Sequence, residues 1–277
     1  MSIDIASALR HAAARGLDRL DARMLLLHAL GRAPHDRAWL LAHDGDALDA
    51  PVQAAFDAAC TRRLAGEPVA YLTGEKEFFG LALRVDARVL VPRPDTETLV
   101  EWTLDVLAGL DAPSVLDLGT GSGAIALAIR SRRADARVQA IDASADALAV
   151  ARANAERLGL PVAFAHGSWL QGHTGRHDCI VSNPPYVAAA DPHLAALAHE
   201  PLAALASGAD GLDDIRAIVS QAPAHLAPGG WLLLEHGWDQ AGAVQALLAA
   251  AGFAQVHSRD DLAGIARCTG GKWPAVE

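Results

Sequence analysis

The sequence predicts an α/β protein whose larger part is a doubly wound, Rossmann-like domain, and three observations lead to this fold class. Short apolar segments alternate with helical patterns from about residue 114 onward, in the βαβαβ order of a mostly parallel sheet. A glycine turn at Gly119–Gly123 joins a strand to a helix. A later buried strand stops at Asn183–Tyr186. Because ligands bind at the carboxyl ends of strands in open α/β sheets, we expect these two loops to form one site.

The composition limits the kind of protein. A chain of 277 residues with a hydrophobic fraction of 52% supports one large domain or two modest ones. The formal charge of −10 and the pI near 5.6 argue against direct duplex DNA binding, which needs a basic face. No apolar run approaches the ~18 residues of a membrane span, and the first residues do not form a signal peptide. The three cysteines are scattered without metal-ligand spacing, so we expect reduced thiols, a cytoplasmic location and no metal site.

Residues 1–72 predict a separate helical domain. Gly16 ends the first helical pattern, Asp21 begins the second, and Pro51 suits the first turn of a third. Helices this short need one another's apolar faces, so they imply a small bundle. We interpret the bundle as a substrate-recognition domain. A cap that stabilises the following domain is the alternative that the sequence leaves open.

Residues 73–94 predict a β-hairpin connector, because apolar strand patterns flank a glycine turn there. The connector runs into Pro92–Glu97, where two prolines fix the chain direction and Asp95 or Thr96 can cap the next helix. The third predicted domain, residues 95–277, begins at this turn. The dense charge of the turn indicates either a solvated joint between domains or a wall of the active site.

The glycine turn predicts a nucleoside-containing cofactor. It follows the apolar strand Ser114–Leu118 and opens a helix, which is the context that makes a glycine motif credible. Its GxGxG spacing differs from the GxGxxG of dinucleotide sites, which favours S-adenosylmethionine over NAD. Glycines let a ligand lie against the backbone, and a carboxylate can accept a charge-assisted hydrogen bond from the ligand's ammonium group. The cofactor-binding residues expected from this stretch are Asp117, Gly119, Thr120, Gly121, Ser122 and Gly123.

Two further side chains are expected at the cofactor. Asp142 ends the next strand, 19 residues after Gly123, where an acidic residue usually binds the two ribose hydroxyls. The alternative is that Asp142 caps the helix over 144–158. Trp169 follows the third strand, and its flat ring suits packing against adenine, with a core tryptophan as the alternative.

The loop Asn183–Tyr186 predicts a site for a planar –NH2 group. Pro184 and Pro185 prevent helix or inner-strand continuation and hold Asn183 extended. Since neither proline has an N–H, the loop presents acceptors, namely the Asn183 side-chain oxygen and carbonyls such as that of Pro184. Tyr186 offers a flat face to an amide or a base. An ordinary proline-stiffened loop is the alternative.

Two later stretches are expected to border this site. Residues 187–212 form a long connection, and a connection of this length indicates a lid or a substrate wall. Glu235 and His236 end a central strand, and His236 is a weaker candidate for a general base.

The chain resembles the release-factor glutamine N5-methyltransferases, the HemK/PrmC family. The resemblance rests on a set of motifs in a specific order, Pro92–Glu97, Asp117–Gly123, Asn183–Tyr186, Glu200-Pro201 and Leu234–Gly237, together with the size of the helical N-terminal part. It implies methylation of the glutamine in the Gly-Gly-Gln loop of class I peptide chain release factors, with the N-terminal module helping to dock the factor.

The resemblance also assigns roles to residues. It implies that Gly119–Gly123, Asp142, Trp169 and Asn183 contact the cofactor and that Asn183–Tyr186 hold the glutamine. Ser168 departs from the acidic residue that many relatives carry, which puts an adenine-amine contact through that side chain in doubt.

Four alternatives stay open at this point. One is the sister family that methylates a glutamine of a ribosomal protein, and another is an adenine-N6 nucleic-acid methyltransferase. A non-catalytic sensor of S-adenosylmethionine and an NAD-dependent oxidoreductase are the others; the glycine spacing weighs against the last.

Overall fold

A computed structural model describes residues 3–275, which divide into two compact units. The first comprises the chain up to Glu75 together with Ala196–His199, and the second comprises Lys76–Ala195 and the chain from Glu200 onward. The sequence placed domain boundaries near 72 and 94, and those boundaries stay a prediction.

The first unit is built from short helices around an apolar centre. Its helices are α1 (Ile5–Ala14), α2 (Arg19–Ala29), α3 (Arg37–Ala42), α4 (Ala50–Leu64) and α5 (Val69–Thr73). Asp18, rather than the expected Asp21, is the N-cap of α2, because its carboxylate accepts from Leu20 N at 2.7 Å. Leu25, Leu26 and Phe56 are at most 1% exposed, so the bundle has its own core.

A hairpin of β1 (Glu75–Phe78) and β2 (Leu81–Arg84) follows, and all of it except Glu75 belongs to the second unit. Phe79 and Gly80 form the two-residue turn with φ of 52° and 82°, the left-handed pair that such tight hairpins need. The paired strands are shorter than the predicted 73–94 connector. The chain then passes through a short 3₁₀ turn, Pro94–Thr96, into α6 (Glu97–Val106).

A seven-stranded sheet forms the centre of the second unit. Its strands are β3 (Ser114–Leu118), β4 (Arg137–Asp142), β5 (Ala163–His166), β6 (His177–Ser182), β7 (Leu226–Glu235), β8 (Ala254–Asp260) and β9 (Ala266–Lys272). The strand order is β5-β4-β3-β6-β7-β9-β8, with β3 to β7 parallel and β9 antiparallel to both neighbours. This order confirms the doubly wound α/β class. The winding direction reverses between β3 and β6, so the ligand crevice is expected there.

Alternate residues of the central strands supply two cores, one on each face of the sheet. On β3, Val115 joins one core and Leu116 the other; on β6, Val181 and Ile180 divide in the same way. The helices that pack with these cores include α7 (Ala124–Arg132), α8 (Ala145–Leu158), α9 (Asp213–Gln221) and α10 (Ala241–Ala250). Burial on both faces explains why β3 and the centre of β6 read as continuous apolar runs.

Two smaller observations complete the fold. Within residues 3–275, no helix is both long enough and apolar enough to cross a membrane. The three cysteines are free thiols and all are buried.

Candidate active site

The glycine turn after β3 is held against the end of β4. Gly119 N and Thr120 N donate to Ile141 O at 2.8 and 3.1 Å. Gly119 has a φ of 69°, and an added Cβ there would lie 3.3 Å from Trp169 Cζ3, so glycine allows both the bend and the close ring. An added Cβ at Gly123 would lie 3.1 Å from Leu127 Cδ1. The absence of a side chain at Gly123 therefore leaves room for Leu127 of α7. A contact between Gly123 and a cofactor stays a prediction.

Asp117 is a fully buried carboxylate at the base of this turn. Its Oδ2 accepts from Thr120 Oγ1 at 2.6 Å and from Ala126 N at 3.3 Å. Its Oδ1 has no hydrogen-bond partner among the residues that the structure describes. Burial raises the pKa of Asp117 to about 7, although the hydrogen bonds from Thr120 and Ala126 lower it. An unpaired buried oxygen of this kind fits a cationic donor such as an ammonium group.

Asp142 is fixed at the end of β4 by backbone donors. Its Oδ2 accepts from Gly121 N at 2.8 Å and its Oδ1 from Ser144 N at 2.8 Å. The N-cap of α8 is Ser144, whose hydroxyl accepts from Ala147 N, so the capping role considered for Asp142 belongs to Ser144. Each carboxylate oxygen keeps a lone pair for a further donor, which suits two ribose hydroxyls.

Trp169 is half-buried and held in an unusual backbone conformation. Its φ is 50°, a region that bulky residues rarely adopt and that costs energy of order 1 kcal/mol or more. Its ring Nε1 donates to Asp214 Oδ1 at 3.1 Å, and Leu170 N donates to Gln221 Oε1 at 3.2 Å. These contacts set the ring beside Gly119.

A cavity of about 400 Å³ connects these features with the proline loop. Its volume lies in the range of sites for small molecules and cofactors. Of the predicted site residues, those that line the cavity are Gly119, Gly121, Asp142, Trp169, Asn183 and Pro185. Those outside the lining are Asp117, Thr120, Ser122, Gly123, Pro184 and Tyr186. The structure thus brings the two predicted loops to one cavity, and the individual roles stay predictions.

Burial explains why two of the predicted site residues, Thr120 and Ser122, do not line the cavity. Thr120 is 6% exposed and uses its hydroxyl on Asp117. Ser122 is 3% exposed, and its carbonyl accepts from Asn154 Nδ2 at 3.0 Å. Both side chains therefore support the turn from behind.

Asn183 leaves β6 with its side-chain amide oriented. Its Nδ2 donates to Thr96 Oγ1 at 3.2 Å, which leaves Oδ1 as the acceptor end of the amide at the cavity. The preceding Ser182 is tied to the neighbouring strand, because its hydroxyl donates to Leu118 O at 2.7 Å. Pro184 is buried behind the loop and Pro185 faces the cavity.

Tyr186 is held from several directions. Its hydroxyl donates to Glu235 Oε1 at 3.4 Å, and its carbonyl accepts from Gln240 Nε2 at 3.0 Å. An added Cβ at Gly211 would collide with the Tyr186 carbonyl, so only glycine fits there. Burial and the nearby Glu235 raise the pKa of the Tyr186 hydroxyl. The phenol is therefore a neutral hydrogen-bond donor.

Glu235 and His236 differ in their surroundings although they are neighbours. Glu235 is 1% exposed and contacts Tyr186. His236 is fully buried with both ring nitrogens engaged, Nε2 with Thr269 Oγ1 at 2.7 Å and Nδ1 with Gly237 O at 2.9 Å. Burial also lowers the pKa of His236. Both ring nitrogens are therefore engaged, Nε2 by a β9 hydroxyl and Nδ1 by the Gly237 carbonyl, which argues against the weaker candidacy of His236 as a general base.

Thr96 and Glu200 support the site in roles that the sequence did not assign, since Thr96 was considered as a helix cap and Glu200 as part of a family motif. Glu200 is 7% exposed; its Oε2 accepts from Val91 N at 3.0 Å and its Oε1 from Arg93 Nη2 at 2.5 Å. Pro201, the next residue, lines the cavity. The charged turn thus supports a cavity wall through Arg93, and the joint presence of Pro-Arg-Pro and Glu-Pro motifs is the signal that pairs them.

Both units of the chain match known protein families. The PrmC N-terminal domain family model matches residues 4–74, and the Methyltransferase small domain family model matches residues 96–208. The release factor glutamine methyltransferase of Bordetella pertussis is 53% identical, with 92% of this chain and 95% of that protein covered. The protein of the same name from Burkholderia pseudomallei is 51% identical, with 93% of each covered.

Two solved structures have a similar fold. A methyltransferase from Pyrococcus furiosus matches with a TM-score of 0.54 at 20% identity, covering 78% of this chain and 98% of that one. The 16S rRNA N2 G1207 methyltransferase of T. thermophilus, in complex with AdoMet and guanosine, matches with a TM-score of 0.55 at 21% identity, covering 72% and 49%.

Proposed function

The chain belongs to the release factor glutamine methyltransferase family, and from this premise we propose its reaction. It transfers a methyl group from S-adenosylmethionine to the side-chain amide nitrogen, N5, of the glutamine in the Gly-Gly-Gln motif of class I peptide chain release factors. The observation that carries this proposal is the orientation of Asn183. Its Nδ2 is committed to Thr96, so its Oδ1 meets the cavity as an acceptor for an –NH2 group.

The cavity residues fit the cofactor. Asp142 keeps two acceptors for ribose hydroxyls, and Trp169 lies as a flat wall beside the glycine turn. The Oδ1 of Asp117, which has no partner among the residues that the structure describes, suits the ammonium group. S-adenosylmethionine supplies an electrophilic methyl group on a sulfonium. The residues of this chain do the binding and the orientation.

Asn183 and Pro184 carry the chemistry on the acceptor side. An amide nitrogen is a poor nucleophile because its lone pair is delocalised. The Asn183 Oδ1 and the Pro184 carbonyl accept the two hydrogens of the target –NH2, and they bind more strongly as positive charge develops on that nitrogen. Positioning of two reactants supplies roughly 7–11 kcal/mol in favourable model systems. No base is needed before the transfer, and the proton leaves afterwards.

The finer assignments follow from the same proposal. Residues 1–72 dock the release factor, and residues 95–277 bind the cofactor and perform the methyl transfer. Residues 73–94 connect these two domains. Tyr186 places its ring against the planar glutamine amide, and Pro185 supports it from the cavity side. The protein works in the cytoplasm, where its substrate acts.

Mass spectrometry tests the proposal. A class I release factor is incubated with the protein and S-adenosylmethionine, and a ribosomal protein and DNA serve as parallel substrates. We expect one added methyl group on the Gly-Gly-Gln glutamine. Methylation of the ribosomal protein alone, or of adenine alone, would refute the proposed substrate.

A variant tests the role of Asn183. Asn183→Ala should still bind the cofactor at least in part but should lose turnover. Gln171→Ala, which removes an exposed amide, is the matched control with unchanged turnover. Near-normal turnover of Asn183→Ala would contradict the mechanism.

A further inference from the structure

A fully buried amide on helix α8, that of Asn154, joins two separate segments behind the cavity. Its Oδ1 accepts from Arg84 N at 2.8 Å. Its Nδ2 donates to Arg84 O and to Ser122 O, both at 3.0 Å. Asn154 therefore uses its acceptor and both of its amide hydrogens on backbone groups, one set on the hairpin strand β2 and the other on the glycine turn.

The Ser122 carbonyl needs this donor. Ser122 is 3% exposed and precedes Gly123, the N-cap of α7. Ala126 N, which lies one helical turn further along, donates to Asp117 Oδ2 at 3.3 Å. A buried carbonyl without a partner is costly, so the Asn154 side chain supplies the hydrogen bond that the start of α7 does not.

The turn that carries this carbonyl is part of the cavity wall. Gly119 and Gly121 line the cavity directly. An added Cβ at Gly123 would lie 3.3 Å from Ala151 Cβ, so the end of the turn lies against α8, one helical turn before Asn154. Because glycine adopts many backbone conformations, the shape of such a turn depends on the groups that bond to it from outside.

The hairpin meets the same amide as it would meet a neighbouring strand. Asn154 accepts from the N–H of Arg84 and donates to the C=O of that residue, which is the pair of bonds that adjacent antiparallel strands exchange. A second residue of α8, Arg157, donates to Ala82 O. Between these two contacts Leu83 is fully buried in a core of the sheet. The second strand of the hairpin is therefore fixed to α8.

We propose that Asn154 is a positioning residue for the methyl donor: it holds the glycine turn in its binding shape and joins that turn to strand β2. Asn154 does not line the cavity and acts through the Ser122 carbonyl. Because one amide makes all three hydrogen bonds, cofactor binding at the turn should also be detected at Arg84. This inference rests on the cofactor site of the proposed function and is independent of the methyl acceptor.

Cofactor binding to variants tests the contact with the turn. Asn154→Ala leaves Ser122 O without its donor, so the Kd for S-adenosylmethionine in calorimetry should rise about tenfold or more. At saturating cofactor kcat should stay within about threefold of the wild type, because Asn154 does not act on the bound reactants. Thr103→Val is the matched control, since Thr103 is also fully buried but donates to Leu99 O at 2.8 Å within α6. This control should lose stability and keep its Kd.

Arg157→Ala separates the contact with the turn from the attachment of the hairpin. It removes the other side-chain contact between α8 and β2 and leaves the bond from Asn154 to Ser122 in place. The Kd for S-adenosylmethionine should therefore stay at the wild-type value. A Kd raised as much as in Asn154→Ala would assign the effect to a looser hairpin and would overturn the role at the turn.

Hydrogen exchange of the wild type tests the contact with the hairpin, and it decides the question even if Asn154→Ala does not fold. At 100 times the Kd of S-adenosylmethionine, exchange of Arg84 N–H should slow by about tenfold or more. Phe79 N, which donates to Glu97 Oε1 of α6 at 2.9 Å, is the control in the same hairpin. Its exchange should change by less than about threefold.

The outcomes separate this inference from the proposed substrate. A Kd of Asn154→Ala within about threefold of the wild type would overturn the inference, as would equal slowing of exchange at Arg84 and Phe79. If the wild type does not bind S-adenosylmethionine, the cofactor site and the inference both fail. If it methylates a ribosomal-protein glutamine instead of a release factor, only the proposed substrate fails, and the Kd comparison still decides the role of Asn154.

Discussion

Replacing Asp117 by asparagine should make the second unit more stable than in the wild type when no cofactor is bound. When the cofactor is bound, the variant should be less stable than the wild type. Asp117 is fully buried and one of its oxygens is unpaired among the residues described, so its charge is costly until a cation arrives. The pKa rises from 3.8 to about 7 on folding. A raised pKa means that the stability contributed by the group is complete below pH 3.8 and is lost as the pH rises through about 7.

The magnitude follows from this shift. Each pKa unit corresponds to about 1.4 kcal/mol, so the ionisation of Asp117 costs about 3 kcal/mol of stability between pH 5 and pH 8. The amide that replaces the carboxyl cannot ionise. The free energy of unfolding of Asp117→Asn relative to the wild type should therefore rise by about 3 kcal/mol over this range. A new unpaired NH2 reduces the absolute gain by about 1–2 kcal/mol at both pH values.

Urea unfolding followed by tryptophan fluorescence measures this difference. Of the six tryptophans only Trp39 lies in the first unit, so the signal reports mainly on the second. Glu101→Gln, which replaces an exposed carboxyl, is the control, because substitutions at exposed positions usually change stability little. Cofactor at 100 times its Kd adds about 2.7 kcal/mol to the wild type, and most of this gain should be absent in Asp117→Asn. A stability difference that is the same at pH 5 and pH 8 would refute the reasoning.

Three further predictions test other parts of the second unit. Gly211→Ala would push against the Tyr186 carbonyl and should cost more than tenfold in turnover, whereas Gly242→Ala, with open space around its Cβ, should leave turnover unchanged in the same assay. Asp142→Ala removes the ribose acceptors and should weaken cofactor binding by about 10-fold or more in calorimetry; an unchanged Kd would contradict that role. Burial lowers the pKa of His177 to about 4, so the stability contributed by the neutral imidazole is fully present above pH 6.5. The free energy of unfolding should fall by about 3 kcal/mol as the pH drops toward 4. In urea unfolding at a series of pH values, His177→Gln should show a weaker dependence of the midpoint on pH.

The sequence predicts the elements that local pattern determines. The strands that became β3 and β6 were placed at their observed ends, because a continuous apolar run stops at a glycine turn in one and at two prolines in the other. The predicted loops meet at one cavity, since carboxyl ends of parallel strands share an edge. The fold class follows from the same order of elements.

The contacts that orient the site lie beyond local pattern. Glu200 bonds Val91 across 109 residues and Asn183 bonds Thr96 across 87, and no spacing rule connects such pairs. Glu235 and His236 are predicted to border the site because they end a central strand, and no local pattern shows that Thr269, 33 residues later, contacts the His236 ring.

The reversal of winding between β3 and β6 separates the two substrates along the chain. The residues proposed for the cofactor, apart from Asn183, lie between Asp117 and Trp169, on one side of the reversal. Those proposed for the methyl acceptor, Asn183–Tyr186, follow β6 on the other side. Each substrate thus has its own contiguous block of sequence. A change in the acceptor loop therefore leaves the glycine turn and Asp142 in place, whereas Asp214 and Gln221 of the second block have to be kept because they hold Trp169 and Leu170.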